Sequence, residues 1–277
     1  MTVSVIVPNY NHANFLTQRI ESILSQTYND FEIIILDDAS TDSSSEIIDR
    51  YVSLHSNISS YSNIKNSGST FSQWQKGIRH SKGEFIWIAE SDDFAEPEFL
   101  AKSIGIMREH EDAGISYCNS RLINEEDNTE ILISEKEEAS GNSRWLNDYY
   151  NNGYKEVSEH LYLRNTIYNV SSVLFRKSKI PLTVDVEPSM KFCGDWLLYI
   201  KILLHSDIAY IAEPLNNFRI HSDSSFKNYF SGNKYLNEVL SVYRLLIKHL
   251  KFNPKKYSLM AFFLLRISGK IIKNKLK

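Results

Sequence analysis

Phe31-Glu32-Ile33-Ile34-Ile35-Leu36-Asp37-Asp38 is the stretch that decides the fold of this chain. An apolar run ends in two adjacent carboxylates. A second stretch repeats the arrangement, because Glu84-Phe85-Ile86-Trp87-Ile88-Ala89 leads into Glu90-Ser91-Asp92-Asp93. Apolar runs of this length, each followed by a helical pattern, predict buried strands of a parallel sheet. The sequence therefore predicts an α/β fold with two groups of carboxylates at one edge of its sheet.

These two groups of carboxylates indicate a ligand site. Ligands of open α/β sheets bind just outside the carboxyl ends of the strands. Carboxylates collected there repel one another unless a cation or a hydrogen-bond donor lies between them. A divalent metal ion that carries a nucleotide diphosphate would meet that need, which makes it the first hypothesis for this chain.

The composition limits the class of protein. The chain has 277 residues, 42% of them hydrophobic, which suffices for one α/β domain with or without an appendage. Its two cysteines, Cys118 and Cys193, lie far apart without metal-ligand spacing, which fits a reducing compartment. The apolar run at residues 3–7 has no basic segment before it and predicts a strand rather than a secretion signal. No uncharged apolar stretch approaches the roughly 20 residues that span a bilayer, so we expect a cytoplasmic protein.

Charge is distributed unevenly along the chain. Residues 227–277 contain 12 lysines or arginines and one acid, Glu238, whereas the other 226 residues contain 19 bases and 33 acids. The tail therefore carries +11 and the body −14, although the whole chain carries only −3. An acidic cleft without a metal would repel a phosphate backbone, so we expect no nucleic-acid partner.

Strands and helices alternate along the chain. The predicted strands cover residues 3–7, 31–36, 84–89, 115–118, 170–176 and 208–211. The predicted helices include residues 71–80, 98–110 and 195–204, and residues 124–143 predict an exposed hairpin. This alternation predicts a doubly wound, mostly parallel sheet flanked by helices. Residues 235–277 are predicted to be mostly helical, with an interruption at Pro254.

Several motifs occur in order at a spacing that identifies a family. They are Val3-Ser4-Val5-Ile6-Val7-Pro8-Asn9-Tyr10-Asn11, Gln26-Thr27-Tyr28, Asp37-Asp38-Ala39-Ser40-Thr41-Asp42, Gly77 with Lys82-Gly83-Glu84, and Ser91-Asp92-Asp93. Together they resemble the family 2 glycosyltransferases, which are inverting enzymes with the Rossmann-like GT-A fold. The resemblance covers about residues 1–225 and is strongest over 1–95. One such motif alone would be weak evidence, whereas this series in register is strong evidence.

The resemblance implies a nucleotide site in the first half of the domain. The loop of Pro8, Asn9, Tyr10 and Asn11 would shape the pocket of the nucleobase, with Tyr10 packing against the base. Asp38 would accept a hydrogen bond from the ring N–H of the base, a contact that favours uracil or thymine over purines. The implied donor is a nucleotide-sugar, with UDP as the expected nucleotide.

The resemblance also implies a metal site, with Mn²⁺ or Mg²⁺ as cofactor. Glu90-Ser91-Asp92 occupies the position of the family's Asp-x-Asp motif. There Asp92 would ligate the ion that bridges the diphosphate, while Glu90 and Ser91 would contact the nucleotide. Hard oxygen ligands suit these cations, and the metal would offset charge on the leaving diphosphate.

Two departures from the family pattern stand out. Glu90 is one methylene longer than the usual Asp, and Trp74-Gln75-Lys76 replaces the frequent Arg-Asn before Gly77. The motifs around these departures resemble those of a bacterial subgroup that builds surface polysaccharides. The implied acceptor is a saccharide or a lipid-linked saccharide.

The catalytic residue implied by the resemblance is Asp195. An inverting transfer needs a general base for the acceptor hydroxyl, and Gly194-Asp195-Trp196 matches the position where the family carries that carboxylate. A helix N-terminus lowers the pKa of a carboxylate, so a raised pKa would have to come from burial. The other interpretation of Asp195 is a helix N-cap.

Two residues downstream complete the implied site. Phe218-Arg219-Ile220-His221-Ser222 resembles the family's Arg-x-His element. His221 would complete the metal shell or contact a phosphate oxygen, and Arg219 would pair with phosphate. A lone histidine such as His221 is also a common structural residue. His12, His80 and Cys193 receive no functional role from the sequence.

We therefore expect a GT-A domain over residues 1–225 and a basic helical extension over 226–277. Within the domain, residues 1–95 form the nucleotide-binding half and 96–225 the acceptor half. Residues 257–277 combine an apolar run with lysines and an arginine. That mixture fits an anionic membrane surface on the inner face of the cell membrane, burial against the catalytic domain, or a solvated helix face.

Two rival functions remain open from the sequence. A nucleotidyltransferase also uses a metal at a Rossmann-like sheet, but it usually carries a glycine-rich basic loop after the first strand, and residues 8–12 are neither. A non-catalytic saccharide-binding or scaffold protein derived from the fold is the other rival. Glu90 and the aromatic region 145–168 are compatible with it.

Overall fold

A mixed sheet of ten strands organises the described part of the computed structural model, which comprises residues 2–181, 190–221 and 233–275. The strands are β1 (Val3–Asn9), β2 (Phe31–Asp37), β3 (Ile58–Ser62), β4 (Phe85–Ile88), β5 (Phe94–Ala95), β6 (Ala113–Asn124), β7 (Thr129–Leu132), β8 (Tyr149–Asn151), β9 (Val173–Arg176) and β10 (Asp207–Ile220). The helices are α1 (Ala13–Leu24), α2 (Ser44–Leu54), α3 (Thr70–His80), α4 (Phe99–Glu109), α5 (Ile133–Glu138), α6 (Gly153–Glu156), α7 (Gly194–Leu203), α8 (Asn233–His249) and α9 (Pro254–Lys275).

Most strands of the sheet run in the same direction. The order across the sheet is β3-β2-β1-β4-β9-β6-β10-β5, with β7 paired to β6 and β8 paired to β10. Strands β3, β2, β1, β4, β6 and β10 are parallel, and β9, β5, β7 and β8 run against them. The predicted mostly parallel sheet is therefore confirmed. The reversed β9 in its middle was not anticipated, because the apolar run that predicts a strand carries no information on direction.

The parallel register brings the two groups of carboxylates to one edge of the sheet. Asn9 at the end of β1 lies opposite Asp37 at the end of β2. On its other side, β1 pairs with β4, so that Ile6 lies opposite Ile88, two residues before Glu90. Every residue of β1, β2 and β4 is buried, as expected for strands covered on both faces.

Several elements differ from their predicted bounds. The predicted hairpin exists, because β6 and β7 pair from Asn124 with Thr129, but the segment Ile133–Glu138 after it is the helix α5. The short strand predicted at 208–211 is part of the 14-residue strand β10. Shifts in register near Pro214 let β10 bend and continue along β6, which carries Arg219 to the acidic edge.

The helices α8 and α9 pack against the body of the protein. Val242 and Leu246 of α8, and Met260 and Ile267 of α9, are buried in the same apolar cluster as the helix α7. Helix α9 begins at Pro254, where the predicted interruption falls. The outer face of α9 is exposed, and Leu265 retains 70% of its accessible surface. Among the described residues, none of the helices combines the length and the apolar character that crossing a membrane requires.

Candidate active site

The predicted nucleotide loop at residues 8–11 is held against the turn that follows β2. The Asn9 side-chain amide donates a hydrogen bond of 2.8 Å to Asp37, and both residues are buried. Asn11 has a φ of 55°, a left-handed conformation that asparagine tolerates better than most residues. The ring of Tyr10 between them is 43% exposed. The loop thus presents one aromatic ring to solvent from a fixed backbone, and Pro8 is buried behind it.

Asp38 is saturated with internal hydrogen bonds. Its carboxylate accepts from the side-chain amides of Asn63 at 2.6 Å and Gln73 at 2.9 Å. It also accepts from the backbone N–H of Ser67 at 2.9 Å and from the Ser67 hydroxyl at 2.7 Å. Asp38 therefore anchors the segment between β3 and α3. Its predicted bond to a nucleobase N–H would have to share an oxygen that is already an acceptor.

Glu90 reaches away from the sheet to a tryptophan of α3. The Trp74 indole N–H donates to Glu90 Oε1 at 2.7 Å, and the Glu90 backbone N–H donates to the Ser171 hydroxyl at 3.1 Å. Burial, with a contribution from the negative charge of Asp92, raises the pKa of Glu90 to about 8, against the opposing effect of the Trp74 hydrogen bond. Glu90 is thus held through its carboxylate and through its backbone N–H.

Asp92 forms a cluster with His12 and His221, and the three side chains, here called the metal-ligating group, are of types that could hold a metal ion. One ligand atom from each of His12, Asp92 and His221 lies within 4.8 Å of the other two. His221 Nε2 is 3.2 Å from Asp92 Oδ2, and His12 Nδ1 is 2.8 Å from the Ser91 hydroxyl. Burial raises the pKa of Asp92, but the hydrogen bond of His221 and the charges of both histidines outweigh it, so that the pKa is lowered.

His12 is a residue that the sequence analysis missed. His12 directly follows the 8–11 loop at the carboxyl end of β1. Because the carboxyl ends of β1 and β4 meet at the same edge, this position could have indicated that His12 lies near Asp92. Nothing in the local sequence around it has metal-ligand spacing, since Asp92 and His221 come from distant parts of the chain.

The set of donors fits a divalent cation. One carboxylate oxygen and two imidazole nitrogens lie within 4.8 Å of one another, and the charge of an ion would also offset the nearby carboxylates of Glu90 and Asp93. Mg²⁺ prefers oxygen ligands in octahedral geometry, whereas imidazole is a usual ligand of transition metals. The three side chains therefore offer ligand types that suit both kinds of ion.

Asp93, the residue after Asp92, is held by hydrogen bonds from two other segments of the chain. Asp93 is buried and accepts hydrogen bonds from Asn169 at 2.9 Å, from Ser171 at 2.6 Å and from the Arg219 backbone at 3.0 Å. Burial, followed by the charge of Asp92, raises the pKa of Asp93 to about 6. These hydrogen bonds join Asp93 to the segment before β9 and to β10.

Arg19 is a fully buried arginine on the apolar face of α1. Its guanidinium lies 4.9 Å above the centre of the Trp87 ring, and none of its side-chain nitrogens has a hydrogen-bond partner among the described residues. Burial lowers the pKa of Arg19 to about 10, although Asp93 and Asp92 oppose that shift. Its burial could have been predicted from the sequence, because Arg19 shares a helical face with Leu16 and Ile23.

Arg219 is committed to contacts within the protein. Its guanidinium donates to the Asp92 carbonyl at 2.9 Å and to the Gln18 side chain at 2.7 Å, and it pairs with Glu125 at 2.9 Å. The planar group also lies 4.8 Å from the centre of the Phe15 ring. The bond to the carbonyl holds the backbone at Asp92. The pairing of Arg219 with phosphate stays a prediction.

Asp195 lies in the first turn of α7. Its carboxylate accepts hydrogen bonds from the Asn165 side chain at 2.9 Å and from the backbone N–H of Trp196 at 2.7 Å. Burial raises the pKa of Asp195 to about 7, although both hydrogen bonds oppose the shift. The N-cap of the helix is Cys193, not Asp195. A carboxylate with this pKa can accept a proton near neutral pH.

The glycine before Asp195 lets α7 approach the residues around Glu90. A Cβ atom on Gly194 would lie 2.5 to 2.6 Å from ring atoms of Phe71. Phe71 in turn packs edge-to-face against Trp74, with ring centres 4.8 Å apart. The lack of a side chain at Gly194 therefore permits this close approach, and the rings of Phe71 and Trp74 lie between Gly194 and Glu90.

One cavity connects these groups. It has a volume of about 380 Å³, and its lining includes the carboxylates of Glu90, Asp92 and Asp195 together with Trp74 and Phe71. Tyr235 of α8 and Phe263 of α9 also line this cavity. Its volume lies within the range of small-molecule sites.

Comparison with known proteins gives the family. The glycosyl transferase family 2 model matches residues 4–173. A glycosyltransferase of Rickettsia typhi is 27% identical over 224 residues, which are 79% of this chain and 64% of the relative. The minor teichoic acid biosynthesis protein GgaA of Bacillus subtilis is 28% identical over 206 residues, which are 73% of this chain and 43% of the relative. The chain thus spans less than two thirds of the length of these relatives.

Solved structures show the same fold at low sequence identity. Staphylococcus aureus TarS 1-349 in complex with UDP-GlcNAc superposes with a TM-score of 0.73 at 19% identity, over 95% of this chain and 72% of TarS 1-349. The mannosyltransferase PcManGT of Pyrobaculum calidifontis, in complex with GDP-Man and Mn²⁺, gives a TM-score of 0.65 at 16% identity, over 97% of this chain and 71% of that one. The GT-A fold predicted from the motifs is confirmed. With the sheet, the motif positions and the family model in agreement, the chain belongs to glycosyl transferase family 2.

Proposed function

We propose that this chain transfers a sugar, with inversion, from a UDP-sugar to a saccharide or lipid-linked saccharide acceptor, and that the transfer depends on a divalent metal ion. The observation that carries the proposal is the single cavity that contains both the Asp195 carboxylate and the Glu90–Asp92 segment. An inverting transferase needs a base and a diphosphate site on opposite sides of one reacting carbon. The proposal assigns the base to Asp195 and the diphosphate to the acidic edge, where the ligands of such sheets bind.

The donor side of the site rests on the 8–11 loop and the Glu90–Asp92 segment. TarS binds UDP-GlcNAc and PcManGT binds GDP-Man, and each shares its fold with this chain. We assign the exposed ring of Tyr10 to the base of the nucleotide, with Pro8, Asn9 and Asn11 fixing its position. Asp38 orders the neighbouring segment and faces the base from there. UDP is the proposed donor nucleotide because an acceptor carboxylate suits the ring N–H of uracil.

The metal is assigned to Asp92, His221 and His12, with Mn²⁺ or Mg²⁺ as the ion. When bound there, it would neutralise charge on the leaving diphosphate. Glu90 and Ser91 hold the nucleotide beside this group, and Ser91 fixes the ring of His12 through their hydrogen bond. Arg219 contributes by holding the Asp92 backbone.

Asp195 is the proposed base. It takes the proton of the acceptor hydroxyl while that oxygen forms a bond to the anomeric carbon. The bond between this carbon and the diphosphate oxygen breaks, and its electron pair leaves with UDP. The hydrogen bonds from Asn165 and Trp196 orient the carboxylate, and its raised pKa makes it a competent acceptor of the proton near pH 7.

The biological setting proposed here is the synthesis of a cell-surface polysaccharide. The likeness to GgaA, whose name refers to teichoic acid biosynthesis, supports it. We assign catalysis to residues 1–225 and an accessory role to 226–277. The exposed face of α9 carries Leu265, Arg266 and Ile272, a mixture of apolar and basic groups that fits peripheral binding to an anionic membrane surface.

A thermal-shift panel tests the donor site. The protein is heated with UDP, dTDP, GDP or CMP, each with and without Mn²⁺, because a ligand of the folded state raises the melting temperature by mass action. The proposal expects stabilisation by UDP that requires Mn²⁺. Stabilisation by GDP alone would replace the proposed donor, and no shift with any nucleotide at millimolar concentration would contradict catalysis.

A further inference from the structure

Three aromatic side chains from the second half of the chain, here called the aromatic wall, line part of the cavity that contains Asp195. Phe192 comes from the segment before α7, Tyr235 from α8 and Phe263 from α9, and all three line the same cavity as Asp195. The rings of Phe192 and Tyr235 meet edge-to-face with centres 6.1 Å apart. Two of these residues belong to helices that lie beyond the segment matched by the family model.

The aromatic wall is half-buried, not sealed within the core. Each of its three rings keeps part of its surface accessible in the cavity. Flat aromatic surfaces in a cavity with a few polar groups are typical of sites for small organic ligands. The residues of the predicted nucleotide loop at 8–11 do not line this cavity, as far as the described residues show. The wall therefore shares a cavity with Asp195 but not with the proposed nucleobase site.

The buried carboxylate of Glu238 fixes the segment that connects the aromatic wall to Asp195. Glu238 of α8 accepts hydrogen bonds from three consecutive backbone N–H groups, those of Lys191 at 2.8 Å, Phe192 at 2.8 Å and Cys193 at 2.9 Å. It is the one acid among the residues of the basic tail, 227–277. Its carboxylate fixes the segment that carries Phe192 and begins α7, two residues before Asp195.

The two adjacent phenylalanines of α9 point to different faces of the helix. Phe263 lines the cavity and packs on the core, whereas Phe262 is 59% exposed on the outer surface. Helical geometry turns consecutive side chains by about 100°, which separates the two rings. The chain thus contains a matched control for any role of the Phe263 ring.

We propose that the aromatic wall is the acceptor subsite, where the apolar face of a pyranose ring stacks on Phe263 and Tyr235 so that its hydroxyl meets Asp195. This inference rests on the proposed transfer to a saccharide, and it adds the place where that saccharide binds. It also makes α8 and α9 part of the active site. Helices α8 and α9 then select the acceptor, while the segment matched by the family model binds the donor.

The test uses the full chain with UDP-GlcNAc and other UDP-hexoses, Mn²⁺ and p-nitrophenyl β-pyranosides of glucose, galactose and N-acetylglucosamine as soluble acceptor probes. Hydrolysis of the UDP-sugar, measured as release of UDP in the absence of an acceptor probe, reports the reaction of the donor separately from acceptor binding. Phe263→Leu and Tyr235→Leu should each raise the KM of the best probe by about threefold to tenfold, since stacked aromatic contacts are of that strength. They should lower the ratio of transfer to hydrolysis accordingly.

Phe262→Leu is the matched control and should leave the KM of the probe and the transfer ratio at the values of the parent protein. An unchanged KM in both Phe263→Leu and Tyr235→Leu would overturn the acceptor subsite while leaving the proposed function intact. Transfer by the parent to none of the pyranosides, with UDP release present, would also overturn the subsite. Absence of UDP release from every UDP-hexose would instead refute the proposed function. Because the two variants lie on different helices, a folding defect in one leaves the other as the test.

Discussion

The indole N–H of Trp74 donates a hydrogen bond to the carboxylate of Glu90 at 2.7 Å, and these two residues are the points where the chain departs from the family pattern. The longer side chain of Glu90 turns toward α3, where Trp74 stands in place of the usual polar residue. Phe71 supports the indole from the other side and also contacts Gly194. The two departures from the family pattern are therefore coupled, because the indole of Trp74 donates the hydrogen bond that the longer side chain of Glu90 accepts.

Replacing Trp74 with Phe should lower kcat/KM for the UDP-sugar by about twofold to tenfold, because an intramolecular hydrogen bond contributes about 0.5–1.5 kcal/mol. The effect of Trp74→Phe should largely vanish in a Glu90→Gln background, which a double-mutant cycle measures. Trp145→Phe is the control, since its indole donates to Tyr117 at 2.9 Å away from the cavity. Equal losses in the two Trp variants would contradict the coupling.

The sequence predicted the acidic edge of the sheet because parallel strands end on the same side. It could not predict the contact between Trp74 and Glu90, since the distance between residues on α3 and after β4 depends on how the helix packs. The same limit applies to Asp38, whose partners Asn63, Ser67 and Gln73 come from a polar segment without a clear pattern. Patterns of apolar residues predict strands and helices, whereas polar contacts between them depend on tertiary structure.

His12 received no role from the sequence because a metal-ligating group assembled from distant segments has no spacing to detect. Glu238 was visible as the single acid of a basic tail, but its three hydrogen bonds to backbone N–H groups depend on how α8 docks. The explanation of that tail as a solvated helix face is wrong for its inner side, where Val242 and Met260 are buried. Burial against the catalytic domain was among the alternatives and is confirmed.

His12→Ala and His221→Ala should each raise the Mn²⁺ concentration for half-maximal activity by at least about tenfold, because each removes one ligand of the proposed ion. Saturating Mn²⁺ should restore a large part of the rate. His80→Ala, which removes an exposed histidine stacked on Tyr61, is the control. Metal dependence of His12→Ala that matches His80→Ala would remove His12 from the metal site.

Glu238→Gln should lower the free energy of unfolding by about 2–3 kcal/mol, because an amide keeps the shape but turns one acceptor into a donor facing N–H groups. The melting temperature should fall by about 4–12 °C, and the rate of transfer should fall as the segment before Asp195 loosens. Differential scanning calorimetry and kcat measure the two effects. Glu109→Gln, at an exposed position of α4, should change neither, and a similar result for Glu238→Gln would contradict the anchoring role.

The rate of transfer should depend on pH through Asp195. With its pKa raised to about 7, the ionised base is lost below that pH, so kcat should fall about tenfold per unit on the acidic side. The folded state holds the proton more tightly than the unfolded state, so this group's favourable contribution to stability is lost as the pH rises from about 4 to 7. Asp195→Asn should therefore melt at a higher temperature than the parent at pH 8. An acidic limb of kcat near pH 4 would contradict this assignment.

Single-turnover transfer by Asp195→Asn, measured beside the affinity for UDP with Mn²⁺, tests the central claim most directly. Asparagine keeps the size of the side chain but cannot accept the proton of the acceptor hydroxyl. The transfer rate should fall by about 10²-fold to 10⁴-fold, while the dissociation constant of UDP stays within a few-fold of the parent value. A transfer rate equal to that of the parent protein would show that Asp195 is not the base.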